Sequence, residues 1–227
     1  MAPEPVRRFV PSLLVAVLLA ALPAGCATGE PDRQPAVSGA APPAAEPGES
    51  DSGVGRRADA ALLPADELGP GWRMIDGTPG RPRWPWAQDD CPGYRDGEYP
   101  AQQHRTAAVQ RGYTHGSSAA LQVIEVYQPG WAERAMADAR RVIEVCPTYG
   151  FLGGQVEFTL LDDAPVGDDA LVVRGRIEHP GGPATVSYFI SVRRGDLVST
   201  LNLPDPGPEQ RVRTITGVLL AFLGQVR

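Results

Sequence analysis

Several side-chain sets in this chain have types and spacings that could carry chemistry. Paired carboxylates stand at Asp89-Asp90, Asp162-Asp163 and Asp168-Asp169. Paired acids serve general acid–base hydrolysis or calcium binding. Here no nucleophile or base keeps a fixed spacing from any pair, and no ladder of oxygen ligands accompanies them. Aspartates in loops also make Asx-turns. His104, His115 and His179 are the only three histidines and have no metal-ligand spacing. No Ser lies in a Gly-x-Ser-x-Gly elbow. Without Lys, no Gly-rich turn completes a P-loop. Arg174, Arg176 and Arg193 alternate along strand-like runs, with Thr185, Ser187 and Asn202 in neighbouring runs. Converging guanidiniums and hydroxyls would bind a carboxylate, phosphate or sulfated sugar bidentately. A wet outer sheet face explains the same pattern. Arg81-Pro-Arg-Trp84-Pro-Trp86 offers aromatic rings for a sugar or a protein partner, or packing over the core edge.

The elements that position these residues follow from periodicity. Arg105–Tyr113 and Ser118–Tyr127 alternate as two strands around His115-Gly116. From Trp131 to Cys146, apolar residues recur at three- and four-residue steps, predicting a helix that Pro147 ends. Four further strands are expected at Gln155–Leu161, Asp169–Glu178, Ala184–Arg193 and Leu197–Leu203, and a closing helix at Glu209–Val226. A short helical turn precedes them at Ala60–Leu68, with a short strand at Trp72–Ile75. The expected class is α+β: an antiparallel β-sheet with two long helices packed on one face. On that arrangement Val186, Tyr188, Ile190 and Val192 face the helices, and Arg174, Arg176, Thr185, Ser187 and Arg193 face away.

Composition narrows the partners. Every basic residue is Arg, and the net charge is −6. The absence of Lys, with abundant Ala, Gly and Pro, suggests a GC-rich, actinobacterial genome. An acidic chain without a basic cluster argues against nucleic acid as partner.

Arg7-Arg8, the apolar run from Leu13 and the small residues after it have the layout of a secretory signal. The run is shorter than the roughly 20 residues that a spanning helix needs. Arg7-Arg8-Phe9 hints at twin-arginine export, but its spacing departs from that pattern. Ala24-Gly25-Cys26 resembles a bacterial lipobox, although Pro23 stands where Leu is usual. That resemblance implies cleavage before Cys26 and diacylglycerol on its sulfur, which anchors the chain to membrane lipid. An ordinary signal peptide with an incidental Cys is the alternative. With Cys26 lipidated, Cys91 and Cys146 remain, and in an oxidising compartment they read as one disulfide. Ala27 to about Arg57 lacks aromatic residues and reads as a disordered tether reaching about 30 Å. The expected organisation is 1–25 signal peptide, 26–58 lipidated Cys and tether, and 59–227 one folded domain.

That domain resembles the PknH-like extracellular sensor domains of actinobacterial Ser/Thr kinases and stand-alone lipoproteins. The likeness rests on Leu62-Leu63-Pro64 through Gly71-Trp72, the Cys91 loop, and the helix ending in Cys146. Gly167-Asp168-Asp169-Ala170, Arg193-Arg194-Gly195-Asp196-Leu197-Val198 and the last amphipathic helix complete it. It implies an α+β fold with a cleft for an unidentified ligand. The chain departs from kinase-linked members by lacking a second disulfide, a kinase and a transmembrane segment.

The expected function is therefore a non-enzymatic, membrane-anchored module on the extracytoplasmic face, needing no cofactor. It would bind a small molecule, a glycan or an envelope protein through Arg174, Arg176, Thr185, Ser187, Arg193, Asn202, Trp84 and Trp86. An envelope scaffold and a carboxylate-based hydrolase are the alternatives.

Overall fold

The computed structural model describes residues 53–75, 82–151, 153–161 and 167–226. The export segment, Cys26 and nearly all of the tether lie outside these residues, as do Arg81 and Asp162-Asp163. The described chain runs α1 (Gly53–Ala60), β1 (Arg73–Ile75), β2 (Arg105–His115), β3 (Ser118–Tyr127), α2 (Trp131–Val145), β4 (Thr148–Phe151), β5 (Gly154–Leu161), β6 (Asp169–Glu178), β7 (Thr185–Arg194), β8 (Leu197–Pro204) and α3 (Glu209–Gln225). Short 3₁₀ turns lie between α1 and β2.

The eight strands form one antiparallel sheet in the order β1-β2-β3-β8-β7-β6-β5-β4. After the β2–β3 hairpin, α2 carries the chain to the far edge. The β4-to-β8 meander then returns and pairs β8 with β3. Gly195, with φ 60°, makes the tight β7–β8 turn, where a left-handed backbone suits a residue without Cβ.

The expected pair of long helices on one face is corrected: the sheet is buried on both faces. Ala58 of α1 and Val212, Ile215, Leu219 and Leu223 of α3 share one core with Val172, Tyr188, Ile190, Val192 and Leu201. Ala135, Met136, Ala139, Val142 and Ile143 of α2 share another with Leu171, Val173 and Val198. Successive side chains of a strand point to opposite faces. Leu171-Val172-Val173 therefore sends neighbours into different cores, so α2 lies across the sheet from α1 and α3. The consecutive apolar residues of β6 are the pattern of a strand covered on both sides.

A buried polar cluster fastens the N-terminal segment. The Leu63 N–H donates to Gln122 Oε1 at 2.8 Å. The Tyr113 hydroxyl lies within hydrogen-bond distance of both Leu63 O and Gln122 Oε1, and Gln122 Nε2 donates to Ser199 Oγ at 3.0 Å. Arg57 of α1 pairs with Asp196 in the β7–β8 turn. Residues 53–58, assigned to the tether on sequence, thus include a helix whose Ala58 is wholly buried.

Candidate functional site

The segment from Pro82 to Tyr99 has little regular structure beyond a 3₁₀ turn, yet it is firmly held. Cys91 is bonded to Cys146, which lies just after the last turn of α2 with its sulfur in the core. Trp84 and Trp86 are both buried. The Trp86 Nε1–H donates to Ser191 Oγ at 3.3 Å, and Ser191 Oγ is 2.7 Å from Thr200 Oγ1. Arg105 donates to Pro82 O at 2.8 Å and to Glu125 Oε1 at 2.7 Å. Glu125 is only 1% exposed, so this ion pair lies beneath the loop. A carboxylate so placed is tolerable only while its partner remains. The Tyr149 hydroxyl donates to Gln88 Oε1 and joins β4 to the same loop.

The loop covers only part of the α2 face of the sheet. Beyond it a cavity of about 290 Å³ opens, lined by aromatic residues Tyr149, Phe151, Phe158 and Phe189. Its polar lining includes Gln88, Ser187 and Asn202, and Arg83, Asp89 and Asp90 complete the charged lining. Ring centroids run from Tyr149 to Phe158 at 6.1 Å, to Phe189 at 5.8 Å, and on to Trp86 at 5.6 Å. A second cavity of about 260 Å³ adjoins it, sharing Arg83, Ala87, Phe189 and Asn202, and is lined further by Trp84, Leu121 and Thr200.

Gly175 lies in the floor, in mid-strand. A Cβ there would stand 3.2 Å from Phe158 Cε1 and 3.4 Å from Ser187 Oγ. The missing side chain lets the Phe158 ring lie close over the backbone. A glycine inside a strand often marks such an approach.

The electrostatics are nearly neutral. Arg83 pairs with Asp89. The guanidinium hydrogen-bonded to it holds the Asp89 carboxyl below the ordinary carboxylate range. Burial, reinforced by nearby Asp90, pushes the Tyr149 phenol up, which keeps it a hydroxyl donor toward Gln88 at neutral pH.

The expected arginine face is divided. Gly175 pairs with Ser187, so Arg174 sits opposite Tyr188 and Arg176 opposite Val186, on the α3 side. Arg176 pairs with Glu178. Thr185, Ser187, Asn202 and Arg193 follow the register of the α2 side. Of these four, Ser187 and Asn202 reach the cavity. Thr185 is exposed and bonds His179 Nε2 at 2.7 Å. Arg193 lies at the opposite strand end, 3.4 Å from Asp168. Asp169 is held by Arg140. The described residues contain no group of three or more potential ligands that could hold a metal ion.

Sequence reasoning missed Tyr149, Phe151, Phe158, Phe189, Gln88 and Gly175. The available cues were Gly175 interrupting an apolar strand and Phe189 occupying a position expected to be outward and polar.

No family model matches the chain, and no curated protein matches it significantly. Among solved structures, the extracellular domain of PknH from Mycobacterium tuberculosis superposes with a TM-score of 0.52 at 13% identity. The match covers 75% of this chain and 96% of that one. The described fold is thus similar to that of this extracellular domain.

Proposed function

We propose that this chain is a non-catalytic binding module. It senses or carries a small molecule held in the aromatic groove, on the outer side of a membrane to which acylated Cys26 anchors it. The observation that carries this reading is the groove itself. A loop-walled cavity on a sheet face, apolar with a few convergent polar groups, is the usual form of a small-molecule site. The shared fold with an extracellular domain favours an exported location and a sensing role. Beside the groove, Asp89 is engaged by Arg83, which favours binding over a hydrolysis that needs two free carboxylates.

The test is a thermal-shift screen of envelope glycans, lipids and small metabolites, repeated with Ser187→Trp, which plugs the cavity. The expected result is a ligand that raises Tm in the parent and not in the plugged variant. A shift that survives the plug would place binding elsewhere and overturn the reading.

A further inference from the structure

Resting on the groove as the binding site, we infer that its occupant is a neutral oligosaccharide. Three properties of the lining select this class.

The first is charge. Among the described residues, Arg83 is the only cation lining either cavity, and it is engaged by Asp89. Asp90 lines the same space and has no ion pair among the described residues, which leaves the lining with one uncompensated negative charge. Arg174 and Arg176 belong to the other face of the sheet. A phosphate, sulfate or carboxylate would meet repulsion and, among the described residues, no free guanidinium.

The second is hydrogen bonding. The Asn202 amide and the Ser187 hydroxyl line the cavity, and neither has a side-chain partner among the described residues. Solvent has access to both groups in the open groove. An acyl chain or sterol would displace that solvent and leave both groups unpaired. The amide is donor and acceptor at once, as is the hydroxyl, and so are the neighbouring hydroxyls of a sugar ring.

The third is the aromatic surface. Phe158, Phe189 and Tyr149 form a continuous path of rings. A pyranose presents C–H bonds on one face, and these carry partial positive charge toward the negative face of an aromatic ring. The two adjoining cavities share Phe189 and Asn202, so the space extends along the sheet beyond a single pocket. That elongation suits linked rings.

The test titrates the protein by calorimetry with cellotetraose, maltotetraose and chitotetraose, with a sulfated maltotetraose, and with a neutral tetrapeptide. N-phenyl-1-naphthylamine serves as an uncharged apolar probe of the groove. The expected result is that at least one neutral tetrasaccharide binds, while the sulfated sugar binds at least tenfold more weakly. Phe189→Leu and Asn202→Leu should each weaken the sugar about tenfold, equivalent to about 1.4 kcal/mol. Naphthylamine binding should survive Asn202→Leu, showing that this variant is folded and its groove open.

If naphthylamine binds and Ser187→Trp abolishes it, yet no neutral sugar binds, the sugar class is overturned while the groove reading stands. Preference for the tetrapeptide or the sulfated sugar overturns it equally. If no ligand or probe is sensitive to the plug, the groove reading fails as well. Sugar binding unaffected by both leucine substitutions would also overturn the inference.

Discussion

Reducing the Cys91–Cys146 bond tests whether the groove wall is held by contacts or by the staple alone. The two cysteines are 55 residues apart. In the chain-entropy model, closing a loop of that length removes about 14 cal/mol/K from the unfolded ensemble, or about 4 kcal/mol at 25 °C. The native wall has other fastenings: Trp86 to Ser191, Arg105 to Pro82 and Tyr149 to Gln88. The loss should therefore act through the unfolded state and leave the folded loop in place. With a urea dependence of about 2 kcal/mol/M, the midpoint should fall by about 2 M. The assay compares urea titrations of oxidised protein with protein reduced while unfolded and then refolded, both followed by tryptophan emission. Trp84 and Trp86 should stay shielded below the transition. A midpoint change under about 0.5 M would refute the entropy argument. A red-shifted emission in the reduced native protein would refute the independent anchoring of the loop.

Other perturbations probe the remaining parts. Arg105→Met removes the guanidinium that pairs with buried Glu125 and should cost about 3–5 kcal/mol, most of it recovered in Arg105→Met/Glu125→Leu; a single-variant cost under about 1 kcal/mol in chemical denaturation would contradict this. Gln122→Leu strips the acceptor from the Leu63 N–H and should cost about 2 kcal/mol, with faster hydrogen exchange across residues 53–63. Burial raises the Asp138 pKa even though the Ala101 N–H donates to it. Stability linked to that carboxyl is thus fully present below the unfolded value, about 3.9, and is lost as pH rises through the folded value. Asp138→Asn should then be the more stable form at pH 7, with the difference closing as pH falls through the carboxylate range; an unchanged difference at low pH would argue against a titrating cause. Cys26→Ser should move the protein out of the membrane fraction, and an unchanged fraction would remove the lipid anchor from the proposal.

Local features were legible where one period dominated. The alternation from Ser118 to Tyr127 placed β3, and the three- and four-residue spacing from Ala132 to Ile143 placed α2. Pro147 after Cys146 located the helix end within a residue or so. The short strand β4 was missed: its four residues include Gly150, and it is ordered by pairing with β5 across Gly153-Gly154. Glu125 occupies a fully buried position in β3, and nothing local predicts this, because the guanidinium it pairs with comes from Arg105 on the neighbouring strand. The groove was the least legible part. Its rings come from β4, β5 and β7, and its rim comes from a loop with no periodicity at all.

The sequence by itself determined the inventory of most strands and both long helices, and the cysteines available for a single staple. Each depends on residue type and near-neighbour spacing, which the chain carries without reference to its fold. Tertiary structure alone decided which helix covers which face, and so which side chains meet. In β6 and β7, apolar residues at consecutive positions satisfy burial on either side. The route of α2 from β3 to the far edge of the sheet settles which core each one enters. That crossing places α2 and the Cys91 loop over one face, separates Arg174 and Arg176 from Ser187 and Asn202, and leaves an aromatic groove in the part of that face the loop does not reach.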